Sequence, residues 1–199
     1  MTKGRLEAFS DGVIAIIITI MVLELHPPHS TRLAALGAVV PTLLSYVLSF
    51  VFVAIYWNNH HHLMQAVRRV NGAVLWANLH LLFWLSLTPF VTAWMGQNEF
   101  AGGPVTIYGV VLLMSGVAYF ILTRVLLALH GVDSPLGAAL GGDFKGKASL
   151  AIYAIAIALS FVNPRVSCGL YVTVAVMWLV PDRRFERTLD DRGHGRQLE

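Results

Sequence analysis

Charge and cysteine are both scarce in this chain. Of its 199 residues only 13% are Asp, Glu, Lys or Arg, against 56% hydrophobic. Its uncharged stretches are too long and too many to pack inside one soluble domain of this size. The sequence therefore reads as a multi-pass integral protein of the cell membrane, with the lipid bilayer as its solvent. The single cysteine, Cys168, excludes an intrachain disulfide and any cysteine-pair metal or redox motif. No nucleophile-and-base arrangement stands out, no His-Glu-x-x-His helix occurs, and Gly102-Gly103 and Gly141-Gly142 are too isolated to be phosphate loops. Catalysis has little support, so the chain is not read as an enzyme. The net charge of +3 does not point to nucleic acid, because the basic residues sit between apolar runs rather than clustering with aromatics on a soluble face.

What is present falls into six apolar runs, about 6–25, 33–57, 72–95, 104–129, 147–162 and 166–181, separated by short polar or Pro/Gly-containing connections. The expected fold is an all-α membrane protein with six transmembrane helices. Residues 1–181 would form the transmembrane domain and 182–199 a charged, partly disordered cytoplasmic tail. The last two runs are short for a bilayer core that wants about 20 residues, and only Asn163-Pro164-Arg165 separates them, so a tight helical hairpin competes with one long kinked helix. The basic residues favour the hairpin. With the N-terminus inside, Lys3, Arg5, Arg68, Arg69, Lys145, Lys147 and the tail arginines fall on the cytoplasmic side, Arg124 lies in the inner half of span four, and only Arg32 and Arg165 fall outside. A single kinked helix would send the arginine-rich tail to the other side, so both termini are expected in the cytoplasm. The first run ends in Glu24-Leu-His-Pro-Pro28 rather than at a small-residue cleavage site and reads as a retained span. Trp57, Trp84, Trp94 and Trp178 read as interfacial aromatics.

The segment from Arg5 to Glu24 is the most informative, because it drives Arg5, Ser10 and Asp11 into the head of a helix otherwise rich in Ile, Val and Leu. An ionisable side chain at the centre of a membrane helix costs roughly 2.5–3.5 kcal/mol, and less near an end, so it faces protein or water. At about 100° per residue, Gly12, Ile16, Ile20 and Leu23 form one narrow stripe with Thr19 at its edge, and Asp11 projects to nearly the opposite side. On spacing alone the stripe is ordinary lipid or helix contact. Ser10 and Asp11 read as part of a buried interhelical hydrogen-bond network, with Arg5 or with polar groups of spans two and three. Asn78 and His80 are candidates for the same network. Three successive histidines, His60 to His62, would bind a metal only if the backbone turned them toward one point, since neighbours on a helix diverge.

The spacing Arg5-x-x-x-Phe9-Ser10-Asp11 ahead of an Ile-rich helix resembles the R-x-x-x-F-S-D signature of the transmembrane protein 175 family of potassium channels. Tyr56-Trp57-x-Asn59-His60-His61 and Leu85-x-Leu-Thr88-Pro89-Phe90-x-Thr92-Ala93 are similar to the family's later segments. The resemblance implies a homotetramer in which the four first helices surround a central pore with no re-entrant filter. In agreement, no Thr-Val-Gly-Tyr-Gly motif occurs here. Counted from the signature Asp, the family's hydrophobic constriction falls on Ile16, with Ile20 and Leu23 further outward, and its polar layer on Thr19. The resemblance also implies that His60 with Asn59 anchors the inner end of span two against Ser10 and Asp11.

The implied activity is passive, potassium-preferring cation conduction, with other copies of the chain and potassium or related monovalent cations as partners and no cofactor. Glu24, repeated around such a tetramer, would make an acidic outer mouth; taken alone it is an exposed interfacial carboxylate. Three other readings stay open from the residues themselves. One is a proton pathway or proton-coupled transporter with Asp11, His60 and His80 as relays. The others are an intramembrane metalloenzyme built on His60 to His62, and a structural membrane subunit.

Overall fold

The computed structural model describes residues 2–131, 134, 136, 137 and 144–179, and within them the chain is all helix and connection. Helix α1 spans Lys3–Leu23, α2 Val40–Ala66, α3 Gly72–Ser86, α4 Thr88–Gln97, α5 Gly102–His130, α6 Phe144–Ser160 and α7 Pro164–Leu179; a 3-10 segment, Leu33–Val39, leads into α2. Four stretches are long and apolar enough to cross a membrane: Lys3–Leu23, Leu33–Ala66, Gly72–Gln97 and Gly102–His130. Pro164–Leu179 is a shorter apolar helix. The proposed tail, 182–199, lies outside the described residues.

The structure lengthens one expected span and breaks the helix within another. Helix α2 does not stop near residue 57 but runs on to Ala66, carrying Asn58 to His62 with it. No Gly or Pro lies between Pro41 and Gly72 to stop the helix at residue 57, and Pro41 itself sits in the first turn, where its missing N–H costs nothing. The third span is two helices, with the break at Leu87. Pro89 has no N–H to offer the Leu85 carbonyl and its ring crowds that turn, so the helix ends and restarts with Pro89 in the first turn of α4. Upstream, Asn71 starts α3 by accepting the Val74 N–H on Oδ1 at 3.0 Å.

Between the last two helices the alternatives resolve to a hairpin. Ser167 Oγ donates to the Ala156 carbonyl at 2.7 Å, and Trp178 Nε1 donates to Ser149 Oγ at 2.9 Å. Both bonds need α6 and α7 to lie antiparallel, which one kinked helix cannot supply.

Two apolar clusters divide the bundle. The first joins Leu6, Ile14, Ile17 and Met21 of α1 to Leu63 and Met64 of α2, Leu81 and Leu85 of α3, and Leu122 and Leu126 of α5. The second joins Phe52 of α2 and Met95 of α4 to Tyr108 of α5, Tyr153 of α6 and Tyr171 of α7. Helices α2 and α5 serve both. Because lipid is as apolar as leucine, membrane helices associate through close packing and hydrogen bonds rather than through exclusion of water. Gly96 shows the closeness: a Cβ there would stand 2.6 Å from Thr42 Cα of α2. The hydrogen bonds are supplied by hydroxyls. Tyr108 Oη lies 3.0 Å from Ser49 Oγ, Ser49 Oγ 2.7 Å from Thr92 Oγ1, and Thr92 Oγ1 2.6 Å from the Thr88 carbonyl.

Candidate functional site: the first helix and its anchor

Helix α1 has one covered side and one open side. Leu6, Ser10, Ile14, Ile17 and Met21, spaced by three or four residues, are buried against α2 and α3. Gly12, Ile16, Thr19, Ile20 and Leu23 are exposed. The contrast is sharp between neighbours: Ile16 keeps 58% of its surface open and Ile17 only 3%. The stripe read from the sequence is thus an uncovered face of the subunit. On it, Thr19 Oγ1 donates to the Ile16 carbonyl at 2.8 Å. A hydroxyl that spends its one hydrogen on its own helix turns its lone pairs outward.

The covered side is fixed by a buried polar contact. His60 Nε2 of α2 lies 2.8 Å from Asn78 Oδ1 of α3, Asn78 Nδ2 donates to Ser10 Oγ at 2.9 Å, and Ser10 Oγ donates to the Leu6 carbonyl at 2.9 Å. Each of Ser10, Asn78 and His60 is at most 2% exposed. With the amide nitrogen facing Ser10, Asn78 Oδ1 is an acceptor, so His60 Nε2 carries the hydrogen. Three helices are pinned at one end of the bundle by groups that satisfy one another in a setting where an orphaned polar atom costs about 1–3 kcal/mol.

Of the residues expected in one network, the structure brings Ser10, Asn78 and His60 together and sends the others elsewhere. Asp11 turns away from it, because one residue along a helix is a turn of about 100°. Its Oδ1 accepts the Trp57 indole N–H at 3.0 Å. Asn59 meets α5 through its backbone, whose carbonyl accepts the Tyr119 hydroxyl at 3.2 Å. His80 accepts the Trp84 indole N–H at 3.0 Å within its own helix. Arg5 and Phe9 are exposed. The proton-relay candidates Asp11, His60 and His80 accordingly have three different partners, Trp57, Asn78 and Trp84.

Because α2 continues through them, the three histidines diverge. His60 points inward, while His61 stacks on Trp57 at 5.8 Å between ring centroids and meets Gln65 Nε2 at 2.9 Å. Among the described residues no three His, Cys, Asp or Glu side chains converge on one point. Trp57 is the residue the sequence reading misplaced as a plain interfacial aromatic. Its position one helical turn before His61, on a helix facing the signature, is the signal that could have marked it. At the opposite end, Glu24 and Ile20 line an open recess of about 480 Å³ together with Phe90, Trp94 and Gln97.

This chain is similar to known proteins over most of its length. The profile of the family described as endosomal/lysosomal potassium channel TMEM175 matches residues 5–89. A potassium channel from Chryseobacterium sp. (strain P1-3) is 53% identical, over 96% of this chain and 100% of that one. The crystal structure of a lysosomal potassium-selective channel TMEM175 homolog from Chamaesiphon minutus superposes with a TM-score of 0.76 at 28% identity, covering 89% of this chain and 96% of that one. The human endosomal/lysosomal proton channel TMEM175 is 32% identical over 52% of this chain, which spans 23% of that protein.

Proposed function

This chain belongs to the TMEM175 family of ion channels, and from that premise we propose that it is a potassium-preferring cation channel of the cell membrane. Four copies assemble with α1 of each facing a central pathway, six helices per copy cross the bilayer, and both termini lie in the cytoplasm. The observation that carries the reading is the open face of α1. Ile16, Thr19, Ile20 and Leu23 are left uncovered by the subunit's own helices, and they are the positions to which the family pattern assigns the pore.

Four isoleucines at one level make a constriction that resists wetting, and an ion crossing it sheds part of its hydration. Potassium gives up water more readily than sodium, and Thr19 lone pairs from four copies replace part of what is lost. Ile16 is the tightest ring in this reading, Ile20 and Leu23 widen it outward, and Glu24 concentrates cations at the mouth. A preference built this way is modest, since no cage of carbonyls encloses the bare ion. Arg5, Phe9 and Asp11 lie beside the pinned end and act on assembly rather than on the permeating ion.

The test is dye-reported flux from potassium-loaded liposomes holding the purified full-length protein, repeated with sodium. Expected are faster potassium than sodium flux, a preference that flattens in Ile16→Asn, and a reduced preference in Thr19→Val. An unaltered potassium-to-sodium ratio in both variants would remove the constriction from α1. The name carried by the human relative supports a second reading, proton conduction. A pH-sensitive dye in the same liposomes distinguishes it, since flux that follows a proton gradient and ignores potassium would replace the first reading.

A further inference from the structure

A second cavity, partly open, lies away from α1, among α2, α5, α6 and α7, with about 50 Å³ of space. A single water needs about 10–15 Å³, so there is room for more than one, yet the walls are unsuited to water. Phe52, Tyr56, Phe120, Tyr153 and Trp178 present rings to it, with Ile55 and Leu150 between them. Two of the hydroxyls along the wall are engaged with protein. Tyr119 donates to the Asn59 carbonyl, and Ser149 donates to the Lys145 carbonyl at 2.8 Å while accepting Trp178 Nε1. The remaining surface is mostly hydrocarbon and aromatic, with Asn59 and the Tyr56 and Tyr153 phenols as its polar exceptions, and predominantly apolar cavities take up apolar chains more readily than water.

Two of the ring walls carry a cation. The Arg124 guanidinium stands 4.9 Å from the Phe120 centroid, and Lys145 Nζ stands 6.0 Å from the Trp178 ring. They come from different helices, α5 and α6, and both belong to the end of the bundle that also holds Lys3, Arg5, Arg68, Arg69 and Lys147. A guanidinium lying over a ring uses the ring's face and keeps its in-plane N–H groups available to an anion. A mostly apolar interior and a cation against each of two wall rings match an amphiphile with a negative head.

We propose that this cavity is a binding site for an anionic phospholipid, whose phosphate is held by Arg124 and Lys145 while its glycerol and upper acyl chain enter between Phe120, Tyr56 and Trp178. Basic pockets between membrane helices on the cytoplasmic side take such headgroups, at about 1 kcal/mol per cation near the surface. The site does not depend on the channel reading, because it rests on α2, α5, α6 and α7 alone and its test reads binding rather than flux.

Purified full-length protein is titrated with phosphatidylglycerol or phosphatidylcholine in detergent, and bound lipid per subunit is counted by native mass spectrometry. Wild type is expected to prefer phosphatidylglycerol. Arg124→Gln and Lys145→Gln are each expected to weaken that binding about fivefold and the double variant about 25-fold, with phosphatidylcholine unchanged. Ile55→Trp, which fills the cavity and leaves the charges, should reduce retention of phosphatidylglycerol. Arg124 is exposed and Lys145 half-buried, so their neutralisation leaves the packing intact, and thermal unfolding of each variant verifies this. Equal binding of the two lipids by wild type, or wild-type affinity in the double variant, overturns the proposal. Displacement of phosphatidylglycerol by inorganic phosphate also overturns it, because the site would then read phosphate without the lipid.

Discussion

The two sides of α1 are written in nearly the same alphabet, yet the fold treats them oppositely. The covered side offers Leu6, Ile14, Ile17 and Met21 with one serine among them; the open side offers Ile16, Ile20 and Leu23 with one threonine. Each hydroxyl donates to its own helix; what separates them is that Ser10 also accepts the Asn78 amide N–H of α3, whereas Thr19 bonds to no second helix of the subunit among the described residues. Apolar content alone gives a membrane helix no preferred rotation, since leucine against lipid and leucine against leucine are nearly equivalent. One buried serine meeting one amide sets the rotation, and the rotation decides which isoleucines are left for a neighbour or an ion.

This contrast can be broken most severely at its hinge. Asn78→Leu removes both partners' bonds at once and leaves the His60 N–H and the Ser10 acceptor buried without company, an expected loss of about 3 kcal/mol. Scanning the melting of the detergent-solubilised protein, with the share eluting as a single assembly, measures it; unaltered melting would mean that the polar contact does not hold α1. Gly96→Leu acts on the α2–α4 approach instead and is expected to destabilise by about 2 kcal/mol through overpacking. It should do so without altering ion preference in whatever protein survives. Trp57→Phe removes one indole bond to an exposed carboxylate, for about 1 kcal/mol. The smallest effect on stability should come from Ile16→Asn and Thr19→Val, within about 0.5 kcal/mol, because the subunit's own helices cover neither side chain. These two should alter the potassium-to-sodium ratio while Asn78→Leu leaves it intact among folded molecules. A large melting shift in Ile16→Asn would show the open face to be a packing surface instead.

Much of this is legible in the sequence. Hydropathy located every long helix, and the charges chose the hairpin that Ser167 and Trp178 hold together. The misses have physical causes. A hydropathy window ends where Asn58 to His62 begin, although the helix continues, because backbone hydrogen bonding depends on Gly and Pro rather than on polarity. Pro89 stands inside an apolar run whose hydropathy is unbroken, so hydropathy alone does not reveal the restart of the helix at Thr88. In the signature, the separation of Ser10 from Asp11 follows from the helical step alone, whereas their partners lie 68 and 46 residues away in sequence and no local pattern specifies them. Trp57 illustrates the limit, since an indole near a span end looks the same whether it meets headgroups or a carboxylate.

The direction of the hydrogen bonds at the pinned end bears on charge movement as well as on shape. From His60 through Asn78 to Ser10 and the Leu6 carbonyl, every hydrogen points the same way, so the row resembles a path along which protons could hop. Its middle member is an amide, which neither gives up nor takes on a proton near neutral pH. The row is thus an insulated strut: it fixes three helices while blocking proton transfer along its own length. Proton current through this protein, if measured, would have to travel by a route other than this row.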